Sequence, residues 1–144
     1  MTTTITKELK NIDNFTKSYL IAALWSSTGD DNEPLDSKFA LKNIDVDNLL
    51  QVKKDCVDFQ NNNASLLNKA YEKPGYTNES AGHDFWLTRN GHGAGFWDRD
   101  LENTGKQLTE AAKALKESDI YVGDDGKLHF TNLPFHRKQL SFQF

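Results

Sequence analysis

The stretch HDFWLTRNGHGAGFWDRD, running from His83 to Asp100, decides how this chain is read. It packs aromatic, acidic, basic and imidazole side chains among glycines, a mixture that neither an ordinary core nor a solvated surface needs. Phe85 to Arg89 is rich in strand-favouring residues. Asn90-Gly91 is the pair that tight hairpin turns demand, and the residues up to Trp97 offer a return strand. The spacing therefore predicts a first hairpin over residues 85–97. The glycines weaken its second strand and predict an irregular backbone there.

Working outward, Asp13 offers an N-cap to a helix carrying Phe15, Tyr19, Leu20, Ala23 and Leu24, which ends near Ser26–Gly29. Gly29 to Lys42 reads as an acidic loop. Asp45 or Asp47 caps a second helix with Val46, Leu49, Leu50, Cys56, Val57 and Phe59 on one stripe. The asparagines at 61–63 are poor helix formers, yet Leu66, Leu67, Ala70 and Tyr71 resume the pattern until Pro74-Gly75. On the other side of the motif a third helix is predicted at about Thr104 to Glu117, with Leu108, Ala111, Ala112 and Leu115 inward. A second hairpin pairs Ile120–Val122 with Leu128–Phe130 through Asp124-Asp125-Gly126. The expected fold is α+β: a small antiparallel sheet of two hairpins against about three helices. One domain is expected over residues 1–144. Its ends, 1–10 and 134–144, are expected to be flexible, or in the latter case to add a strand through Leu140, Phe142 and Phe144.

The chain has 144 residues, 37% hydrophobic and 26% charged, enough to bury a core without disulfides or metal. A net charge of −4 has the wrong sign for a bulk duplex binder. The lone Cys56 excludes a disulfide framework and a Cys-rich zinc site, and its apolar neighbours suggest a buried thiol. The polar start and an apolar run limited to Tyr19–Trp25 predict a cytoplasmic protein with no membrane partner.

The run HDFWLTRNGHGAGFWDR at 83–99, with YVGDDGKL at 121–128, Leu24–Thr28 and Pro34-Leu35-Asp36, resembles a family of small uncharacterised bacteriophage proteins. The resemblance spans about residues 15–130 and implies a phage-encoded accessory protein. It carries no catalytic assignment.

The chemistry of the motif leaves several readings open. His83, Asp84, His92 and Asp98 have ligand atoms for a divalent ion, but no zinc-protease, phosphohydrolase or EF-hand spacing is present. Gly91–Gly95, with Arg89, Arg99 and the aromatics, could cradle a nucleotide or nucleic acid, though no Walker lysine follows. Trp, Phe and Arg are also the residues that anchor protein interfaces. A purely structural reading has Phe85, Leu87, Phe96 and one Trp in the core and the aspartates paired with the arginines. The expectation is a protein that binds a host or phage protein through His83, Asp84, Trp86, Arg89, His92, Trp97, Asp98 and Arg99. Nucleotide or nucleic-acid binding stands second and metal-dependent hydrolysis third. No cofactor and no metal are expected.

Overall fold

The computed structural model describes residues 4–29, 31–92 and 94–132. Among them are α1 (Ile5–Leu9), α2 (Asn14–Ser26), α3 (Val46–Asn62), α4 (Ala64–Tyr71), α5 (Asn78–Arg89), α6 (Glu102–Lys113), β1 (Ile120–Val122) and β2 (Leu128–Phe130). Helices and one antiparallel strand pair make an α+β chain. The expected count of about three helices and two hairpins does not hold: among the described residues there are six α-helices and one hairpin. The tail from 134 to 144 lies outside the described residues.

The principal correction concerns residues 85–97, which form no hairpin. Phe85 to Arg89 is the last part of α5. That helix starts at Thr77, whose hydroxyl accepts from the Ser80 amide while the Ser80 hydroxyl accepts from the Thr77 amide. Each bond satisfies a helix-start donor that would otherwise lack a partner. Asn90-Gly91 is a turn, but it ends the helix. The His92 amide donates to the Leu87 carbonyl at 3.0 Å and the Gly91 amide to Thr88 at 3.2 Å, with Gly91 at φ +70°. This paired pattern with a left-handed glycine closes helix C-termini.

Strand propensity failed here because α5 is buried on nearly all sides. Ala81, Gly82 and every residue from Asp84 to Arg89 are buried. A helix wrapped all round has no polar face, so no period of 3.6 shows in its sequence. α2 makes the most extensive contact with it. Gly82 permits the approach: a Cβ there would lie 2.0 Å from the Phe15 carbonyl oxygen. Phe85 sits at the centre of the core. Its ring stacks on Phe59 at 4.0 Å and also meets Phe15 and Tyr19. Trp86 meets Tyr19 and Phe130 edge-on, which ties the helices to the hairpin.

Elsewhere local chemistry acts as expected. Asp13 and Asp45 cap α2 and α3 by accepting from the amides of Thr16 and Asn48. The predicted second helix is two helices. Asn63 turns both its amide and its side chain to the Phe59 carbonyl, which ends α3 and lets α4 leave at a new angle. Residues 5–9 form α1, capped by Thr4. Cys56 is fully buried, and burial pushes its thiol well up, which keeps it protonated and inert. No helix among the described residues is long and apolar enough to cross a membrane.

Candidate functional site

The motif splits into an inner set and an outer set. The inner set begins with Asp84, whose side chain is 1% exposed on α5. Its carboxylate accepts from Arg99 through Nε at 3.1 Å and Nη2 at 2.8 Å, and from the Tyr76 hydroxyl at 2.7 Å. His83 Nδ1 lies 3.5 Å away. Burial works against the charge on Asp84, but the bonds from His83, Arg99 and Tyr76 outweigh it and hold the carboxyl below its usual range. Tyr76 is pushed the other way, by burial and by the adjacent carboxylate.

Arg89 is also internal, 3% exposed. Nη1 donates to Asp55 at 3.0 Å and to the Tyr19 hydroxyl at 3.1 Å. Nε and Nη2 donate to the carbonyls of Lys116 and Leu115, and the guanidinium lies over the Phe85 ring. These two carbonyls follow α6, where a cation complements the negative end of the helix dipole. Arg89 thus joins α2, α3, α5 and the exit of α6. Burial opposes its charge, while Tyr19 and Asp55 raise its pKa further. Trp86 is 1% exposed and donates from Nε1 to the Ser26 hydroxyl at 2.8 Å. Asp84, Trp86 and Arg89 therefore hold the fold together, and none offers a recognition surface.

The outer set is smaller. His83, partly exposed, lines a cavity of about 500 Å³ with Ser18, Glu79 and Arg99. The Trp25 ring stacks on His83 at 5.6 Å with 27° between planes. Trp25 remains 46% exposed, and Ile21, one turn earlier on α2, is 45% exposed. Trp97 is 53% exposed on the 3-10 turn Phe96–Asp98, with Asp98 beside it on the surface. His92 lies apart, in a cavity with Ser26, Thr28 and Asp119. Of the eight expected site residues, the fold gathers His83, Asp84 and Arg99 into one cluster, sets Trp86 and His92 on a second cavity, and leaves Trp97 with Asp98 on the 3-10 turn and Arg89 in the interior. Sequence reasoning missed Tyr76 and Asp55, the buried partners of the two arginine networks. It also missed Trp25, although Ser18, Ile21 and Trp25 fall on one helical face three and four residues apart, a signal that was there to read.

The glycine loop is poorly placed to hold phosphate. It follows the C-terminus of α5, the negative end of the helix dipole, and the amides of Gly91 and His92 are already bonded to α5 carbonyls. The four expected metal-ligand atoms do not converge either. Among the described residues, only Asp45, Asp125 and His129 come within 4.8 Å of one another. There the polarity of the bonds opposes an ion. The Phe130 amide donates to Asn48 Oδ1, so Asn48 Nδ2 is the group facing Asp45 and His129 Nδ1. His129 Nδ1 must then accept, which leaves the proton on Nε2, donated to Asp125 at 3.0 Å. Neither ring nitrogen has a free lone pair for a metal.

Comparison with protein-family models, with curated proteins and with solved structures found no match to this chain.

Proposed function

We propose that this chain acts in the host cytoplasm by binding a host or phage protein. The contact surface is the one where Trp25 stacks on His83 beside Ile21. The observation that carries this reading is the division of the motif. Its acidic and basic side chains at 84 and 89 are tied into internal bonds, while two of the chain's three tryptophans stand half exposed. Exposed tryptophan is costly in water and is a common anchor of interfaces. Among the described residues, the Gly91 and His92 amides are taken up by the end of α5, and His83, Asp84, His92 and Asp98 do not converge, which weighs against the nucleotide and hydrolase readings.

Quantitative capture from phage-infected cells tests the assignment. Tagged Trp25→Ala and His83→Ala should fold as the parent does and lose the captured protein. Capture undiminished in both folded variants would remove the surface from consideration. Trp97→Ala reports whether the contact extends to the 3-10 turn.

A further inference from the structure

The two edges of the hairpin are unequal. The Thr131 amide donates to the Asp119 carbonyl and the Gly123 amide to Lys127, both at 2.8 Å. Bonded and non-bonded pairs alternate in an antiparallel ladder, so the bonded pair between them is Tyr121 with His129. Ile120 and Val122 on β1 therefore turn their N–H and C=O groups outward, as do Leu128 and Phe130 on β2. The β2 edge is covered: the Asp45 amide donates to the Leu128 carbonyl, and the Phe130 amide donates to Asn48. Among the described residues, nothing pairs with Ile120 or Val122.

That edge is exposed at Val122 and largely covered at Ile120, which is 7% exposed, and it borders two cavities. One of about 420 Å³ lies at Ile120 and is shared with Ser27 and Thr28. The other, of about 250 Å³, lies at Val122 and is shared with Glu33 and Leu35. The opposite wall is strand-like too. Leu35 donates to the Ser27 carbonyl and Gly29 to Glu33, so Thr28 turns its own backbone groups away from Pro34. The slot is acidic. Asp119 stands at one end beside His92, and Glu33 at the other beside Lys38; among the described residues neither carboxylate holds an ion pair, while Lys38 is bonded to Asp31 and lies within electrostatic reach of Glu33. Tyr121 and Val122 are left exposed beside it.

We propose that the slot between β1 and residues 27–29 and 31–35 takes an extended, lysine- or arginine-bearing segment of a partner protein as an added strand. Main-chain bonds to Ile120 and Val122 supply the affinity, and alternate basic side chains meet Asp119 and Glu33. This site is independent of the surface around Trp25.

The probe is a labelled, end-blocked peptide of alternating valine and lysine, titrated onto the full chain and followed by NMR. Binding should shift signals at 27–29, 31–35 and 119–123. The amides of Ile120 and Val122 should gain exchange protection, while that of Tyr121, already bonded, should not change. Val122→Pro removes an outward N–H and leaves the ladder intact, so it should weaken binding at least tenfold. Glu33→Lys with Asp119→Lys, which alters no backbone group, should weaken it likewise and favour a valine–glutamate peptide. Four results would overturn the proposal: no binding, equal binding of the glutamate peptide to the parent chain, binding with Ile120 and Val122 still exchanging freely, or protection of both amides before any peptide is added. In the last case, dependence on protein concentration would identify a second copy as the occupant, and independence another part of the same chain.

Discussion

A buried charge is decided by its partners, and the two arginines of the motif show how. Arg89, its side chain 2% exposed, directs four donor bonds at Tyr19, Asp55 and the carbonyls of Leu115 and Lys116. Arg89→Ala leaves Asp55 unpaired and two carbonyls after α6 unsatisfied, and should cost about 3–5 kcal/mol in urea melts. Arg89→Lys should recover only part of that, because a single ammonium cannot reproduce a planar fork. Asp84 carries a pH signature. Its folded pKa is depressed, so its contribution is present above the unfolded value and is lost as pH falls through the folded one. The native chain should keep this contribution down to roughly pH 4, near the ordinary carboxylate value, and lose it below. Arg99→Ala removes the Nε and Nη2 donors from Asp84, so acid unfolding monitored by tryptophan fluorescence should move to higher pH. An unchanged acid midpoint would mean that Tyr76 and His83 suffice to hold the carboxylate.

At the scale of elements, legibility followed the range of the bonds involved. The caps at Asp13 and Asp45 and the Asp124–Gly126 turn are made by neighbours in sequence; the first and the turn were read from it, and the second was narrowed to Asp45 or Asp47. Gly91 was read as a turn residue with positive φ, which it has, but its role was assigned to the wrong structure. An Asn-Gly pair serves a hairpin or a helix C-terminus equally well. The choice depends on whether a strand or a helix precedes it. For α5 that information lay in tertiary burial, which erases the helical period, and in the Thr77–Ser80 cap upstream of the motif. Gly91→Val should destabilise by about 1 kcal/mol or more, since valine resists φ +70°. Gly91→Asn should cost less, because asparagine tolerates the left-handed region. Equal midpoints in urea for both variants would contradict the assigned helix end.

The whole molecule gathers its stability around Phe85 and leaves recognition to the periphery. The site cluster was legible in part: His83, Asp84 and Arg99 lie within one motif, but Tyr76, and Asp55 in the separate Arg89 network, come from segments whose proximity no local pattern encodes. One core takes residues from α2 to α6 and the hairpin, with Ile5 and Leu9 of α1 packed against it, and the chain is expected to fold without an ion. Among the described residues, only the Asp45–Asp125–His129 group has metal-ligand atoms near enough to test that expectation. Its hydrogen-bond polarity places a proton on His129 Nε2 and an amide donor at Nδ1. An ion there would have to displace the Asn48 amide from Asp45, His129 and the Phe130 amide together, undoing the covered edge of β2. EDTA should therefore leave the thermal midpoint unchanged, and added zinc should not raise it. Asn48→Asp gives the opposite test. It replaces the obstructing donor with a third carboxylate beside His129, so the variant should be less stable than the parent without metal and should gain stability when zinc is added. A fall of roughly ten degrees on treating the parent chain with EDTA would show instead that the native group holds an ion.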